Sequence, residues 1–182
     1  MIDEMAGYCS KGAICRMMTD ICAWAEKNGA CIVTPQMVVC RRTAFSVMAE
    51  HGEEIDTRFC PPEVLDGSSI GDAQMAWSIG ALVHFATTGQ VLFGGRGSSV
   101  QHQNPEAMIP ELPKTFQAVS PIVRACLNHN PHERPDLKTI QSAAEECSRK
   151  VEKRKTTQTY NIGQVETNHP ITSHDEWPEL MA

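Results

Sequence analysis

The chain has 182 residues and a mass of 20.1 kDa, the size of one domain with a short additional segment. Hydrophobic residues make up 41% of it and aromatic residues only 5%, so aliphatic side chains and nine methionines must fill most of the core. A formal net charge of −6 argues against a nucleic-acid-binding domain that relies on a broadly basic surface.

The eight cysteines show no pattern typical of a metal site. They form no C-x-x-C pair, and no histidine lies at zinc-finger spacing from a cysteine pair. The chain opens with the acidic run Met1-Ile2-Asp3-Glu4, unlike an export signal, so we expect reduced thiols in a cytoplasmic protein. The longest weakly charged run, residues 75–95, contains Ser, His, Thr, Gln and Gly and fits a buried helix better than a membrane span.

The first predicted element is a helix over residues 14–25. Its apolar residues recur at helical spacing, at Ile14, Met17, Met18, Ile21, Cys22 and Ala25. Asn28-Gly29 should end this helix, because both residues tolerate the left-handed backbone of a C-terminal cap. Two short apolar runs follow, at 37–40 and 44–48, and their spacing predicts a small β-hairpin.

The second half of the chain is predicted to be helical. A helix should run from Asp72, as its N-cap, to Thr88, with Gly89 as its stop. Residues 94–115 are rich in glycine and proline and are predicted to be loop. Two more helices are predicted, one around 119–127 and one that begins near Pro135. We expect a folded domain over 1–150 and a polar tail over 151–182, disordered from about residue 156.

Three motifs resemble the C-terminal lobe, or C-lobe, of protein kinases. They are similar to the A-P-E-V-L that closes the activation segment, to the W-S-x-G…T-G…P-F-x-G stretch of the central helix, and to the N-P-x-x-R-P before the last helix. The motifs here are Pro61-Pro62-Glu63-Val64-Leu65, Trp77-Ser78-Ile79-Gly80 with Thr88-Gly89 and Phe93-Gly94-Gly95, and Asn130-Pro131-His132-Glu133-Arg134-Pro135. Their order and intervals make the match specific.

The resemblance implies a mainly α fold, a kinase-like C-lobe over 1–150 with a small β-hairpin and without the N-terminal lobe, or N-lobe. It also implies that Glu63 and Arg134 form the ion pair that joins the activation segment to the back of the C-lobe. A bidentate guanidinium–carboxylate pair can hold two distant segments in a defined geometry.

Several positions depart from the kinase pattern in ways that remove its chemistry. In the H-R-D-L-K-P-x-N frame of the catalytic loop, Ile32 stands in place of the catalytic Asp and Thr34 in place of the Lys. An aliphatic side chain cannot accept the proton of a substrate hydroxyl. Met37 replaces the metal-binding Asn, and a thioether is a poor ligand for a hard cation.

Other kinase elements are degenerate as well. Glu50-His51-Gly52 looks like an altered D-F-G that keeps one carboxylate. Met75 occupies the place of the Asp that holds the catalytic loop, two residues before Trp77. The glycine-rich run 94–99 lacks the G-K-[ST] of a phosphate loop and is predicted to be a flexible surface loop.

Other chemistry has weaker support. Cys31 and Cys40 with His51 could suggest a thiol hydrolase, but nothing marks an oxyanion hole, and we predict that most of these thiols pack as small apolar groups. His129 and His132 are predicted to lie in a solvated turn rather than on a metal. The basic run 149–155 is predicted to be a solvated helix end, and the tail 173–181 fits either a short docking peptide or a plain terminus.

The sequence therefore predicts a catalytically inactive, pseudokinase-like C-lobe that acts as a protein-interaction or regulatory module. The expected partner is a protein, either an active kinase or the missing N-lobe, with no nucleic acid, no membrane span, no metal and no cofactor. The alternative is a fragment of a longer protein kinase, which would bind ATP and Mg²⁺. A third, weaker alternative is a helical domain that resembles kinases by accident.

Overall fold

The computed structural model describes residues 9–35 and 58–165, with side chains as far as residue 153. Within these ranges the regular secondary structure is helical, with turns and loops between the helices and no strand. The predicted β-hairpin, over 37–48, lies outside the described residues. The helices are α1 (Lys11–Asn28), α2 (Pro62–Leu65), α3 (Asp72–Thr88), α4 (Ser99–Gln103), α5 (Ser120–Cys126) and α6 (Leu137–Val165). Short 3₁₀ turns cover Leu92–Gly95, Lys114–Phe116 and Pro131–Glu133.

The chain divides into two compact units, Met1–Val151 and Glu152–Ala182. The hydrophobic core described below belongs to the first unit. Among the helices of the described part, none is both long enough and apolar enough to span a lipid bilayer.

Helix α1 confirms the first predicted element. The Ser10 side chain caps its start by accepting a hydrogen bond from the backbone N–H of Ala13 at 3.2 Å. Its end falls at Gly29, whose φ of 88° suits a residue without a Cβ. The residues that face the core are Ile14, Cys15, Met18, Ile21, Cys22 and Ala25, and they match the predicted stripe except at Cys15 and Met17.

Helix α3 is the centre of the core and has the bounds that the sequence predicted. Every residue from Met75 to Thr87 is buried, so the helix has no solvent-facing side over this length. The predicted N-cap was wrong by one residue: Gly71 is the cap, and the side chain of Gln74 accepts its backbone N–H at 3.0 Å. Gly89 ends the helix in the left-handed conformation, with φ at 73°, as predicted.

Helix α5 packs closely against α3 at Gly80. A Cβ built at Gly80 would lie 2.9 Å from Cγ of Leu127 and 3.0 Å from Cβ of Cys126. Both distances are shorter than van der Waals contact, so the absence of a side chain at this position sets the separation of the two helices.

The glycine-rich run 94–99 was predicted to be a surface loop, and Gly94 and Arg96 are indeed exposed, but Gly97 and Ser98 are buried. Gly97 has a φ of 55°, and a Cβ there would lie 2.8 Å from both Cα and O of Arg58. Ser98 is completely buried, and α4 begins directly after it. The close approach of two backbones at Gly97, which only glycine permits, therefore joins this end of the run to the segment that leads into α2.

Helix α6 begins later and extends further than predicted. It starts at Leu137 rather than near Pro135, because the Asp136 side chain accepts the backbone N–H of Thr139 at 2.7 Å and acts as the cap. The helix continues to Val165, where a disordered tail was predicted from about residue 156. That stretch contains no proline, and its first glycine is Gly163, so no residue before that position breaks a helix. The rest of the tail lies outside the described residues.

The contact at Gly80 gives a direct test of how tightly α3 and α5 pack. We expect Gly80→Ala to lower the free energy of unfolding by about 1–2 kcal/mol, since the strain of overpacking exceeds the gain in helix propensity. Urea denaturation followed by circular dichroism measures the change.

The matched control is Gly12→Ala in α1. A Cβ at Gly12 would meet nothing closer than the Arg16 guanidinium at 3.8 Å, so this variant should be as stable as the unmodified protein or slightly more stable. Equal stability of the two variants would contradict the packing described for Gly80.

Candidate functional site

The ion pair expected between Glu63 and Arg134 is present. The guanidinium Nη1 of Arg134 donates to Oε1 of Glu63 at 2.6 Å, and Nη2 donates to Oε2 at 2.9 Å. The two residues lie at the start of α2 and just after the Pro131–Glu133 turn, 71 positions apart in the chain. The bidentate geometry fixes both the distance and the angle between these segments.

Arg134 also binds three backbone carbonyls, which completes its hydrogen bonding. Nε donates to O of Asn128 at 2.7 Å, Nη1 to O of Ala73 at 3.0 Å and Nη2 to O of His129 at 3.1 Å. Together with the two bonds to Glu63, these use all five N–H donors that a guanidinium has. The Arg134 side chain is fully inaccessible to solvent, and that of Glu63 is 17% exposed.

The surroundings keep Glu63 ionised. Burial by itself would raise the pKa of the Glu63 carboxyl, but hydrogen bonds from Arg134 and Gln74 and its backbone contact outweigh burial and lower the pKa below its usual value. The Gln74 amide donates to Oε1 of Glu63 at 2.9 Å. Because Gln74 also caps α3, the ion pair is connected to the start of the central helix.

The segment that the sequence analysis aligned with the kinase catalytic loop, residues 29–35, is buried over its second half, residues 32–35. Ile32 is 8% exposed, and Val33 is fully buried beside it. Thr34, which the resemblance aligns with the kinase Lys, is also buried. The sequence of this segment, Gly-Ala-Cys-Ile-Val-Thr-Pro, contains no carboxylate, no imidazole and no ammonium group.

A serine of α3, Ser78, holds the 29–35 segment through a hydrogen bond. The sequence analysis did not predict this contact. The backbone N–H of Val33 donates to Oγ of Ser78 at 3.1 Å, and that hydroxyl donates to O of Met75 at 2.8 Å. Met75, which the resemblance aligns with a kinase Asp, is buried and apolar. The sequence does contain an indication of this contact, because Ser78 lies within the apolar run 75–83 and a buried hydroxyl needs a hydrogen-bond partner.

Cys31, one of the two cysteines considered for a thiol hydrolase, lacks the lowered thiol pKa that a nucleophile needs. Cys31 is half-buried, and burial raises the pKa of its thiol to about 11. A thiol with so high a pKa supplies very little thiolate at neutral pH. Cys40 and His51 lie outside the described residues, as do Met37, Glu50 and Gly52.

The remaining residues of the three kinase-like motifs are mostly packed inside the protein. Pro61, Pro62 and Trp77 are buried, and Pro135 is half-buried after the ion pair. His132 is exposed in its turn, and no group of three His, Cys, Asp or Glu side chains in the described ranges is arranged to hold a metal ion.

A cleft of about 380 Å³ lies next to the ion pair. Nδ1 of His102, from α4, is 3.5 Å from an Asp66 oxygen in this region. The cleft is lined by residues from α2, α4 and the turn before Arg134, namely Pro62, Glu63, Asp66, His102, Pro105, His129, Asn130 and Pro131.

Comparison with known proteins supports a kinase-like relationship over part of the chain. No model of a known protein family matches the sequence. A stretch of 98 residues, 53% of the chain, is 34% identical to the probable serine/threonine-protein kinase PkwA of Thermomonospora curvata. The chain matches only 13% of that protein's length.

The ion pair predicts a large and pH-dependent loss of stability in Glu63→Gln. This substitution keeps the shape of the side chain but leaves the buried guanidinium without its counter-charge, so we expect a loss of about 2–4 kcal/mol at neutral pH. Because folding lowers the pKa of Glu63, its contribution is complete above the usual value of 4.5 and is lost as the pH falls through the folded-state pKa. The stabilities of the two proteins should therefore converge in acid, as measured by urea denaturation from pH 7 to pH 3.

The same substitution at an exposed ion pair is the control. Glu111 and Arg124 are separated by 3.4 Å, and their side chains are 77% and 59% exposed. Glu111→Gln should change stability by less than about 0.5 kcal/mol. Equal effects of the two substitutions at pH 7 would show that Glu63 has no special structural role.

Proposed function

We propose that this chain is a catalytically inactive, kinase-like C-lobe that functions by binding another protein. The observation that carries the proposal is the buried aliphatic side chain of Ile32, the residue that the resemblance aligns with the catalytic base. The kinase-like similarity over 98 residues and the ion pair between Glu63 and Arg134 support the kinase-like part of it.

Phosphoryl transfer needs groups that the 29–35 segment does not offer. A kinase orients and deprotonates the substrate hydroxyl with a carboxylate and neutralises the transferred phosphate with cations. Ile32 and Thr34 are both 8% exposed, and neither side chain carries a charge. The titratable group of this segment is the Cys31 thiol, whose raised pKa keeps it protonated. On this proposal the protein holds no nucleotide and no metal.

The surface near the ion pair offers the features of a protein-binding site. The cleft beside Glu63 has a volume of about 380 Å³ and is lined by three prolines and two histidines. Leu65 and Ile70, just after Glu63 in the chain, are 38% and 36% exposed and add apolar surface in this region. The proposed partner is an active kinase or a kinase N-lobe, and the ion pair would hold the binding surface in one geometry.

The proposal predicts that Mg-ATP does not stabilise the protein. We expect no change in the melting temperature of the full chain as Mg-ATP is raised into the millimolar range, because Ile32 and Thr34 supply neither charge nor metal ligand. A site filled to 100 times its dissociation constant would add about 2.7 kcal/mol, which is several degrees for a domain of this size.

The thermal-shift titration needs an active protein kinase as the positive control and magnesium alone as the blank. A dose-dependent rise in melting temperature with Mg-ATP, above the rise with magnesium, would refute the proposal of a lobe that does not bind nucleotide.

A piece of a longer protein kinase is the second candidate function. It is favoured by the match to 13% of the length of the Thermomonospora curvata protein, since a short stretch of a kinase would give such a match. On this candidate, ATP and Mg²⁺ would bind to the complete protein, with phosphate transfer crippled at Ile32.

The mass of the endogenous protein distinguishes the two candidates. An antibody raised against residues 166–182, followed by intact-mass analysis, should find a species near 20.1 kDa if the first candidate is right. A species larger by about 10 kDa or more, the scale of a small added lobe, would establish the second candidate instead.

A further inference from the structure

A segment without regular secondary structure lies between α4 and α5 in the chain. It covers residues 107–113, with the sequence Ala-Met-Ile-Pro-Glu-Leu-Pro. Each of its prolines fixes its own φ and pushes the residue before it towards extended backbone angles, so Pro110 and Pro113 also restrict Ile109 and Leu112. The sequence itself therefore favours an extended chain here.

The exposure of the side chains in the 107–113 segment repeats every three residues. One edge faces the core: Ile109 packs against it, and Leu112 is 5% exposed. The other two edges are exposed, and their residues are Met108 with Glu111 and Pro110 with Pro113. A repeat of three is that of a polyproline II helix, whereas an α-helix repeats after about 3.6 residues and a strand after two.

The backbone of the segment agrees with this type of helix. Pro113 has a φ of −52° and a ψ of 147°, in the polyproline II region. Over residues 108–112, no backbone N–H or C=O group forms a hydrogen bond within the described part of the protein. A 3₁₀-helix also repeats every three residues, but it requires internal hydrogen bonds, and a polyproline II helix has none.

We propose that the 107–113 segment is a docking site for a protein domain that recognises polyproline II helices in a groove lined with aromatic side chains. Grooves of this kind, in SH3, WW and EVH1 domains, bind P-x-x-P sequences, and Pro110-Glu111-Leu112-Pro113 has this spacing. The proposal goes beyond the kinase-like function, because the segment contains no residue of the cleft beside Glu63 and none of 29–35.

The exposed edges of the segment have the chemistry that an aromatic groove binds. Met108 is 88% exposed, more than any other large hydrophobic side chain in the described residues, so a partner that covers it removes apolar surface from water. Its thioether makes favourable contacts with aromatic rings. The Trp and Tyr side chains of a groove also carry an N–H or O–H, which can donate to the unbonded carbonyls of residues 108–112.

Attachment to the core prepares the segment for binding. Ile109 and Leu112 hold one edge of it, and the backbone N–H of Phe116 donates to the carbonyl of Pro113 at 2.8 Å, directly after the segment. A segment that is already held in an extended conformation loses little entropy on association. Because the third edge is covered by the core, the partner must contact the two exposed edges.

The test presents the full, folded chain to a panel of immobilised SH3, WW and EVH1 domains and measures association by biolayer interferometry. A proline-rich peptide that each domain is known to bind serves as the positive control. We expect saturable binding of the chain to at least one domain. Absence of saturable binding to every domain of the panel, with the control peptides bound, would overturn the proposal.

Substitutions locate the binding on the segment. The double variant Pro110→Ala with Pro113→Ala should weaken binding by on the order of tenfold, because the segment is then less restricted before association. Met108→Ser should also weaken binding and should leave the melting temperature unchanged, since this side chain is 88% exposed. The matched control is Pro121→Ala, because Pro121 is exposed at the start of α5, outside the segment, and its replacement should leave binding unchanged.

The melting temperature of each variant separates a loss of the fold from a loss of the docking surface. If the double proline variant does not fold, Met108→Ser decides the question by itself. Binding that is unchanged in Met108→Ser and in every folded proline variant of the segment would show that the partner contacts another part of the chain, and it would overturn the proposal.

Discussion

The arrangement of this structure depends on one buried guanidinium. Arg134 directs its five N–H donors at a carboxylate and at three carbonyls, and these acceptors belong to α2, to the start of α3 and to the turn between α5 and α6. No lysine could replace it, since an ammonium group has three donors and no planar fork. The cost of removing a charge from water is offset here by complete hydrogen bonding, and the result is a fixed relation between segments that are distant in sequence.

The position of the cleft beside Glu63 follows from that constraint. Its walls come from α2, α4 and the turn that contains His129, and the ion pair connects the first of these walls to the last. Gly97 adds a second fixed point, because its backbone lies against that of Arg58 just before α2. For the proposed binding, the cleft is already formed in the free protein, which lowers the entropy cost of association.

Patterns in the sequence predicted the positions of helices, which depend mainly on residues that are close together in the chain. The period of apolar residues and the glycine stops located α1 and α3, whereas the pairing of Glu63 with Arg134, 71 positions apart, was expected only from the resemblance of three motifs to protein kinases. The same patterns did not reveal the contact between Val33 and Ser78 or the burial of Ser98, because each depends on residues brought together only in the folded chain. The helix starts at Gly71 and Asp136 were displaced for a similar reason, since the side chain that makes a capping hydrogen bond decides where a helix begins.

The complete burial of α3 has a consequence for how this protein can respond to its surroundings. A helix without a solvent face cannot separate from its neighbours without exposing apolar surface on every side, so its backbone amides should open only when the whole core opens. Helices at the periphery, such as the exposed parts of α6, can open at far lower cost. Slow, cooperative exchange of amide hydrogens at the centre and fast exchange at the edges is therefore built into the fold, and any change of conformation short of unfolding must take place around α3 rather than through it.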